Sequence, residues 1–269
     1  PFAESVIRKV YPNFKVFSFG IQAKSGSPIN FSIEKLGKEW NLPEIKKKSQ
    51  NMKEVKSDIL ECDLIIIAEE ELRSHLITLG YAGRIESFES CVADPHFVAI
   101  DPIGFSGNKF IQEMAKVAHA TIRAIRKNFS TYQYKIKAII PQSETDTPFA
   151  YQLALLEQTD SDALIVDVDF RAPGARIYAS NSPIISFNPH ELNIQEFRNC
   201  ISGSILTPSF ELHQPEAYFL ESNWIHYVEL LSTIRPLILI TAPRYVGTGR
   251  LPDSYLACIP ADLITLIAS

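Results

Sequence analysis

Chemistry in a protein needs particular side chains at particular spacings, and this chain offers few such groups. Four cysteines, Cys62, Cys91, Cys200 and Cys258, are candidate thiolate nucleophiles or metal ligands, but they are scattered and form no Cys-x2-Cys pair. Six histidines, at 75, 96, 119, 190, 213 and 226, form neither His-x3-His nor a Cys/His pair at zinc spacing. His119 lies inside a helical apolar pattern and is expected to pack there. No Gly-x-Ser-x-Gly elbow is present. No metal and no cofactor are therefore expected. Asp94-Pro95 and Asp101-Pro102 have the composition of turns. Asp167 and Asp169 close an apolar run and can cap a strand end and pair with the nearby Arg171. Arg244, Gly247, Gly249 and Arg250 make a small basic, glycine-containing loop, expected either to meet an anion or to be a mobile loop.

The elements that must position these groups alternate along the chain. Helices are expected over Ser5–Tyr11, Ile33–Trp40, Glu69–Leu79 and Lys109–Phe129. The last has apolar residues at 110, 114, 118, 122, 125 and 129, one face of a helix. Strands are expected over Phe14–Ile21, where apolar residues alternate, over the continuous apolar run Asp63–Ala68, and over Arg84–Phe88. A polar and aromatic stretch, Asn128–Tyr134, marks a boundary, giving domains 1–129 and 130–269. The second repeats the alternation: strand Lys135–Ile140, helix Pro148–Gln158, strand Ala163–Asp169, helix Glu216–Ile234, and strands Leu237–Thr241 and Leu263–Ala268. Residues 180–217, rich in Ser, Asn and Pro, carry no clear period. The pattern predicts two successive three-layer α/β/α domains with parallel sheets.

Composition narrows the function classes. The 269 residues are 46% apolar and 21% charged, as in ordinary globular proteins. No apolar run reaches the ~18 residues of a membrane helix, so no membrane insertion is expected. The chain opens without a basic segment followed by an apolar one. With unpaired cysteines, this favours a reduced, cytoplasmic setting. Residues 1–129 hold 18 Lys/Arg against 16 Asp/Glu, and residues 130–269 hold 8 against 15. The only basic cluster, Lys35–Lys56, has no interleaved aromatics, so no nucleic-acid partner is expected.

Within the first domain, Pro1-Phe2-Ala3-Glu4 opens a helix, Ser18-Phe19-Gly20-Ile21 ends the next extended segment, and Gly26 and Pro28 follow. Cys62-Asp63-Leu64-Ile65-Ile66-Ile67 comes next, and Asp101-Pro102-Ile103-Gly104 precedes Phe110 and the long helix. In this order the pieces resemble the low-molecular-weight protein tyrosine phosphatases, over residues 1 to about 129. That family reads Pro-x-Ala-Glu, Ser-Ala-Gly-Thr, an Ala-Asp strand and Asp-Pro-x2-Gly. The resemblance implies that Asp101 is the general acid that protonates the leaving phenolate, with Pro102 fixing its loop. Asp94 is the rival, without the following Gly and Phe at family spacing. The family nucleophile lies in Cys-x5-Arg, but the residues six positions after the four cysteines are Ala68, Phe97, Leu206 and Ile264. The thiolate, the phosphate-binding Arg and the central strand that carries them are thus expected upstream of Pro1. The chain by itself is expected to be inactive as a phosphatase.

In the second domain, Ala163-Leu164-Ile165-Val166-Asp167-Val168-Asp169-Phe170-Arg171-Ala172-Pro173 resembles the Leu-Leu-Ile-Asp-Ala-Asp-Leu-Arg-x-Pro segment of bacterial tyrosine kinases, relatives of the ParA/MinD ATPases. The resemblance implies that Asp167 and Asp169 are vestiges of carboxylates that hold Mg²⁺. The phosphate loop Gly-x4-Gly-Lys-Ser/Thr is replaced by Pro141-Gln-Ser-Glu-Thr-Asp-Thr-Pro148, and no glycine occurs between Gly107 and Gly174. Where the family has Ile-Ile-Asp-Thr-Pro-Pro, this chain has Leu239-Ile240-Thr241-Ala242-Pro243, so Ile240 replaces a metal-binding Asp. These losses read as a pseudo-ATPase.

Together the two resemblances imply a phosphotyrosine-signalling regulator of exopolysaccharide or capsule production. Its partner would be a phosphotyrosine protein or a tyrosine kinase of a polysaccharide export system, and a homo-oligomer is a further state to test. The alternative is a pair of pseudoenzymes that acts as a binding or scaffold module.

Overall fold

The computed structural model describes residues 1–46, 48–91, 104–129, 136–141, 144–170, 182–188, 204–209, 212, 215–240, 245–246, 249–250 and 256–267. The chain divides into two compact units, Pro1–Ser130 and Thr131–Ser269. Both are built of helices and parallel strands, as the alternating pattern predicts.

In the first unit, α1 (Phe2–Val10), α2 (Phe31–Glu39) and α3 (Lys56–Leu60) precede β1 (Leu64–Ile67). Next come α4 (Glu71–Leu79), β2 (Arg84–Ser87), α5 (Phe88–Cys91) and α6 (Gly107–Phe129). β1 and β2 pair in parallel, Leu64 opposite Arg84 through Ile67 opposite Ser87. Local signals set the helix ends. Asn30 caps α2 by accepting the Ser32 N–H at 2.8 Å. Gly80 ends α4 at φ 97°, a left-handed turn that glycine adopts without steric cost.

The strand β1 is covered on both faces. Ile65 and Ile67 join Val55, Ile59, Leu76 and Tyr81, with Phe17 and Phe19 packed against them. Ile66 packs on the other side, against Phe88 and Ala120 with Ala3 and Val117. In α6 the predicted face is buried at Phe110, Met114, Ala118, Ile122 and Ile125. The terminal Phe129 instead stays 41% exposed, edge-on to Phe14.

The expected strand Phe14–Ile21 is not formed. The segment's single β-bridge joins Gly20 to Asn51. Among the described residues no strand lies alongside it to supply a ladder, and alternation alone does not make a strand. The chain beyond it is held by side chains instead. Asn51 donates from Nδ2 to the carbonyls of Ala23 at 2.7 Å and Ile21 at 3.3 Å, and its Oδ1 accepts the Lys53 N–H at 2.9 Å. The Gly20 N–H donates to the Gln50 carbonyl and the Met52 N–H to the Gly20 carbonyl, so loops 20–28 and 48–54 are zipped together.

The second unit begins with β3 (Ile136–Pro141), a short 3₁₀ turn (Glu144–Asp146), α7 (Thr147–Ser161) and β4 (Leu164–Asp167). It continues with β5 (Ile184–Phe187), β6 (Ile205–Pro208), α8 (Pro215–Phe219), α9 (Ser222–Ile234) and β7 (Leu237–Ile240). A hairpin of β8 (Tyr245–Val246) and β9 (Gly249–Arg250) and the strand β10 (Leu263–Ile267) complete it. Six strands form one parallel sheet in the order β10-β3-β7-β4-β6-β5. The two strands β5 and β6 fall in the stretch that carried no sequence period, and the expected helix 216–234 is broken at Leu220–Glu221. Ile139, Ile165, Ile205, Ile238 and Ile240 pack with Ala150, Tyr151 and Ala154 of α7. Phe170, Phe187, Tyr218, Phe219, Trp224 and Tyr227 form a connected aromatic cluster. Trp224 and Tyr227 are thus core residues, and burial pushes the Tyr218 phenol well above its ordinary pKa.

Asn51→Ala should destabilise the first unit by ~1–3 kcal/mol, because two backbone carbonyls and one N–H lose their partner. Urea unfolding followed by the fluorescence of Trp40, which is buried in this unit, checks this. An unchanged midpoint would mean that the zipped loops do not depend on Asn51.

Candidate functional site

In a parallel sheet all carboxyl ends lie along one edge. Here β7 stands between β3 and β4, so the three segments that follow these strands emerge side by side. The connection from β3 passes across β7 to reach β4, whereas the connection from β7 returns past β3 to β10. Neighbouring strands whose connections leave in opposite directions form a topological switch point, the usual ligand crevice of open α/β sheets.

The described side chains that end β4 and β7 are acidic or apolar. Asp167 is aligned with Ile240, which is aligned on its other side with Ile139. The ladder continues one residue further, the Val168 N–H donating to the Ile240 carbonyl at 2.8 Å. The chain then turns inward. The Asp169 N–H donates to Asp167 Oδ1 at 3.0 Å, and the Leu212 N–H donates to the Phe170 carbonyl at 2.7 Å. Asp167 is fully buried and Asp169 is 3% exposed. The two predicted carboxylates are thus brought together, with one of them bonded to backbone. Their expected partner Arg171 lies outside the described residues.

After β3, where the sequence has no glycine-rich loop, the described residues form a 3₁₀ turn that leads into α7. Asp146 is buried and stands directly before α7 without a side-chain cap bond to it. Pro148, second in α7, has no N–H to offer to a phosphate. Ile240 is fully buried in the sheet core, where a carboxylate would be costly. Among the described residues no three His, Cys, Asp or Glu side chains are grouped to hold a metal ion. The basic loop after β7 forms the hairpin in which Tyr245 pairs with Arg250, while Arg244, Gly247 and Thr248 lie outside the described residues.

In the first unit, Asp101 and its rival Asp94 both lie outside the described residues. Neither Cys62 nor Cys91 lies in a setting that favours its thiolate. Burial, followed by the nearby Asp58 and Asp63, pushes the Cys62 thiol up, and burial pushes the Cys91 thiol up. Cys258 is buried and Cys200 is outside the described residues. His119 is fully buried within α6, consistent with packing. Sequence reading did not anticipate that Glu4, 3% exposed, accepts from the Ser18 hydroxyl at 2.8 Å. That contact joins two of the motifs on which the phosphatase resemblance rests. The signal available was an acidic residue in the first turn of a helix with an apolar opposite face.

The chain matches no protein-family model, no curated protein and no solved structure. Among the described residues no helix is long and apolar enough to cross a membrane.

Calorimetric titration of the chain with ATP and magnesium should show no micromolar binding. Each missing charge-assisted phosphate contact is worth ~1.5–3 kcal/mol, so losing two or three weakens affinity by orders of magnitude. A micromolar Kd would overturn the pseudo-ATPase reading.

Proposed function

We propose that the protein is a phosphotyrosine-signalling regulator of exopolysaccharide or capsule production. In this reading Pro1–Ser130 is a low-molecular-weight tyrosine phosphatase-like domain. Its nucleophilic Cys and phosphate-binding Arg precede Pro1, and Asp101 is its general acid. Thr131–Ser269 is a degenerate ATPase domain of the bacterial tyrosine kinase type, which needs no cofactor and guides the phosphatase to a phosphotyrosine protein or a kinase of the export system. The setting is cytoplasmic.

The observation that carries the reading is the docking of the Pro1–Glu4 helix start, through Glu4, onto Ser18. Two motifs matched independently in sequence meet in space. A second support is β1. It is apolar and covered on both faces, as an interior strand of a parallel sheet is, yet among the described residues it has a neighbour, β2, on one edge only. The reading fills that edge with the strand leading into the phosphate loop.

A second reading, a non-catalytic binding module, is favoured by a different observation. Burial pushes the Cys62 and Cys91 thiols up, and among the described residues the start of α7 carries a proline and no side-chain cap where a phosphate site would present N–H donors.

The deciding experiment compares the chain with a version extended upstream, using aryl phosphates and vanadate. The extended protein should turn over and be inhibited by vanadate, and the chain by itself should not. Vanadate-sensitive turnover by the shorter chain would mean that the active site is misplaced, and inactivity of both would favour the binding module. In the extended protein, Asp101→Asn should slow substrates with poor leaving groups by ~10²–10⁴-fold and those with good leaving groups much less. A larger effect of Asp94→Asn would move the acid role there.

A further inference from the structure

We infer that Glu4 is a positioning residue that fixes the amino end of α1 and, resting on the phosphatase reading, the phosphate-binding loop that runs into it. Its carboxylate is 3% exposed and reaches three groups from different parts of the chain. Oε2 accepts from Ser18 Oγ at 2.8 Å, and Oε1 meets Arg8 Nη2 at 2.5 Å and Lys46 Nζ at 3.2 Å. Arg8 also donates from Nη2 to the Val16 carbonyl at 3.2 Å, and the adjacent Ser5 hydroxyl donates to the Pro43 carbonyl at 2.5 Å. The first turns of α1 are thus tied to segments 16–18 and 43–46.

Stability alone does not call for this arrangement. α1 already buries Phe2, Val6, Ile7 and Val10, and burying a charged network is often no better for stability than burying apolar side chains of similar size. An apolar face, however, tolerates small slides and rotations of a helix. Directional bonds at its first turn do not. Such precision matters where backbone N–H groups at the start of a helix must meet a phosphoryl group, because a shift of ~1 Å can cost about 10²-fold in rate.

The test uses the upstream-extended protein and two variants, Glu4→Met, which keeps an unbranched side chain of similar length, and Ser18→Ala. Amide exchange at Ser5, Val6 and Ile7 is measured against α4 as an internal reference, together with kcat and KM for an aryl phosphate. Glu4→Met should speed exchange at these amides selectively and lower kcat/KM by ~10–100-fold, mainly through kcat. Ser18→Ala should shift both in the same direction by a few-fold. Unchanged exchange in the two variants overturns the inference, and so does faster exchange with unchanged kinetics in an active protein. If the parent shows no turnover but exchange responds as expected, the fixing of α1 stands and the phosphatase reading fails. If Glu4→Met does not fold, Ser18→Ala decides on the same criteria.

Discussion

A parallel ladder is the constraint on which this protein depends. Parallel strands cannot be joined by tight turns, so each pair needs a long crossover, and the crossovers cover both faces of the sheet. In the second unit, β7 is accordingly a continuous apolar run, β3 and β4 are apolar except at Lys137 and Asp167, and every residue of the three is buried apart from Lys137. The same constraint sends every carboxyl end to one edge. Whatever chemistry the unit performs or has lost must therefore be read from Asp146, Asp167, Asp169, Ile240 and the segments that follow.

Among the described residues at that edge, few groups suit a phosphate. A nucleotide site needs converging N–H donors, a cation and carboxylates free to hold a metal. Here a proline stands at the second position of α7, an isoleucine occupies the centre of the edge, and one aspartate oxygen is bonded to the next turn of backbone. Three residues beyond Asp167, Phe170 enters the aromatic cluster through Phe219 and Trp224.

The first unit handles charge differently. Its buried carboxylate, Glu4, is compensated by Arg8 and Lys46 and by a hydroxyl. Half-exposed cations lower the cost of burying the anion, because their own charges remain partly hydrated. The result is a helix start held by directional contacts on top of an apolar face. Loops 20–28 and 48–54 are likewise held by Asn51 and backbone bonds.

The sequence by itself determined the elements whose signal is carried within one segment. α6 was legible from its period, β1 and β4 from unbroken apolar runs, and the lack of a phosphate loop from the missing glycines. Each of these rests on contacts with a face, which the local pattern records. Tertiary structure alone decided the rest. Phe14–Ile21 has the alternation of a strand but no ladder partner among the described residues, while Ile184–Phe187 and Ile205–Pro208, with no clear signal, are strands because neighbours complete them. The position of β7 between β3 and β4, which places Ile240 beside Asp167, appears nowhere in the order of the chain. The contact between Glu4 and Ser18 is equally invisible there, because hydrogen bonding between distant residues depends on how the segments pack and not on the residues that flank them.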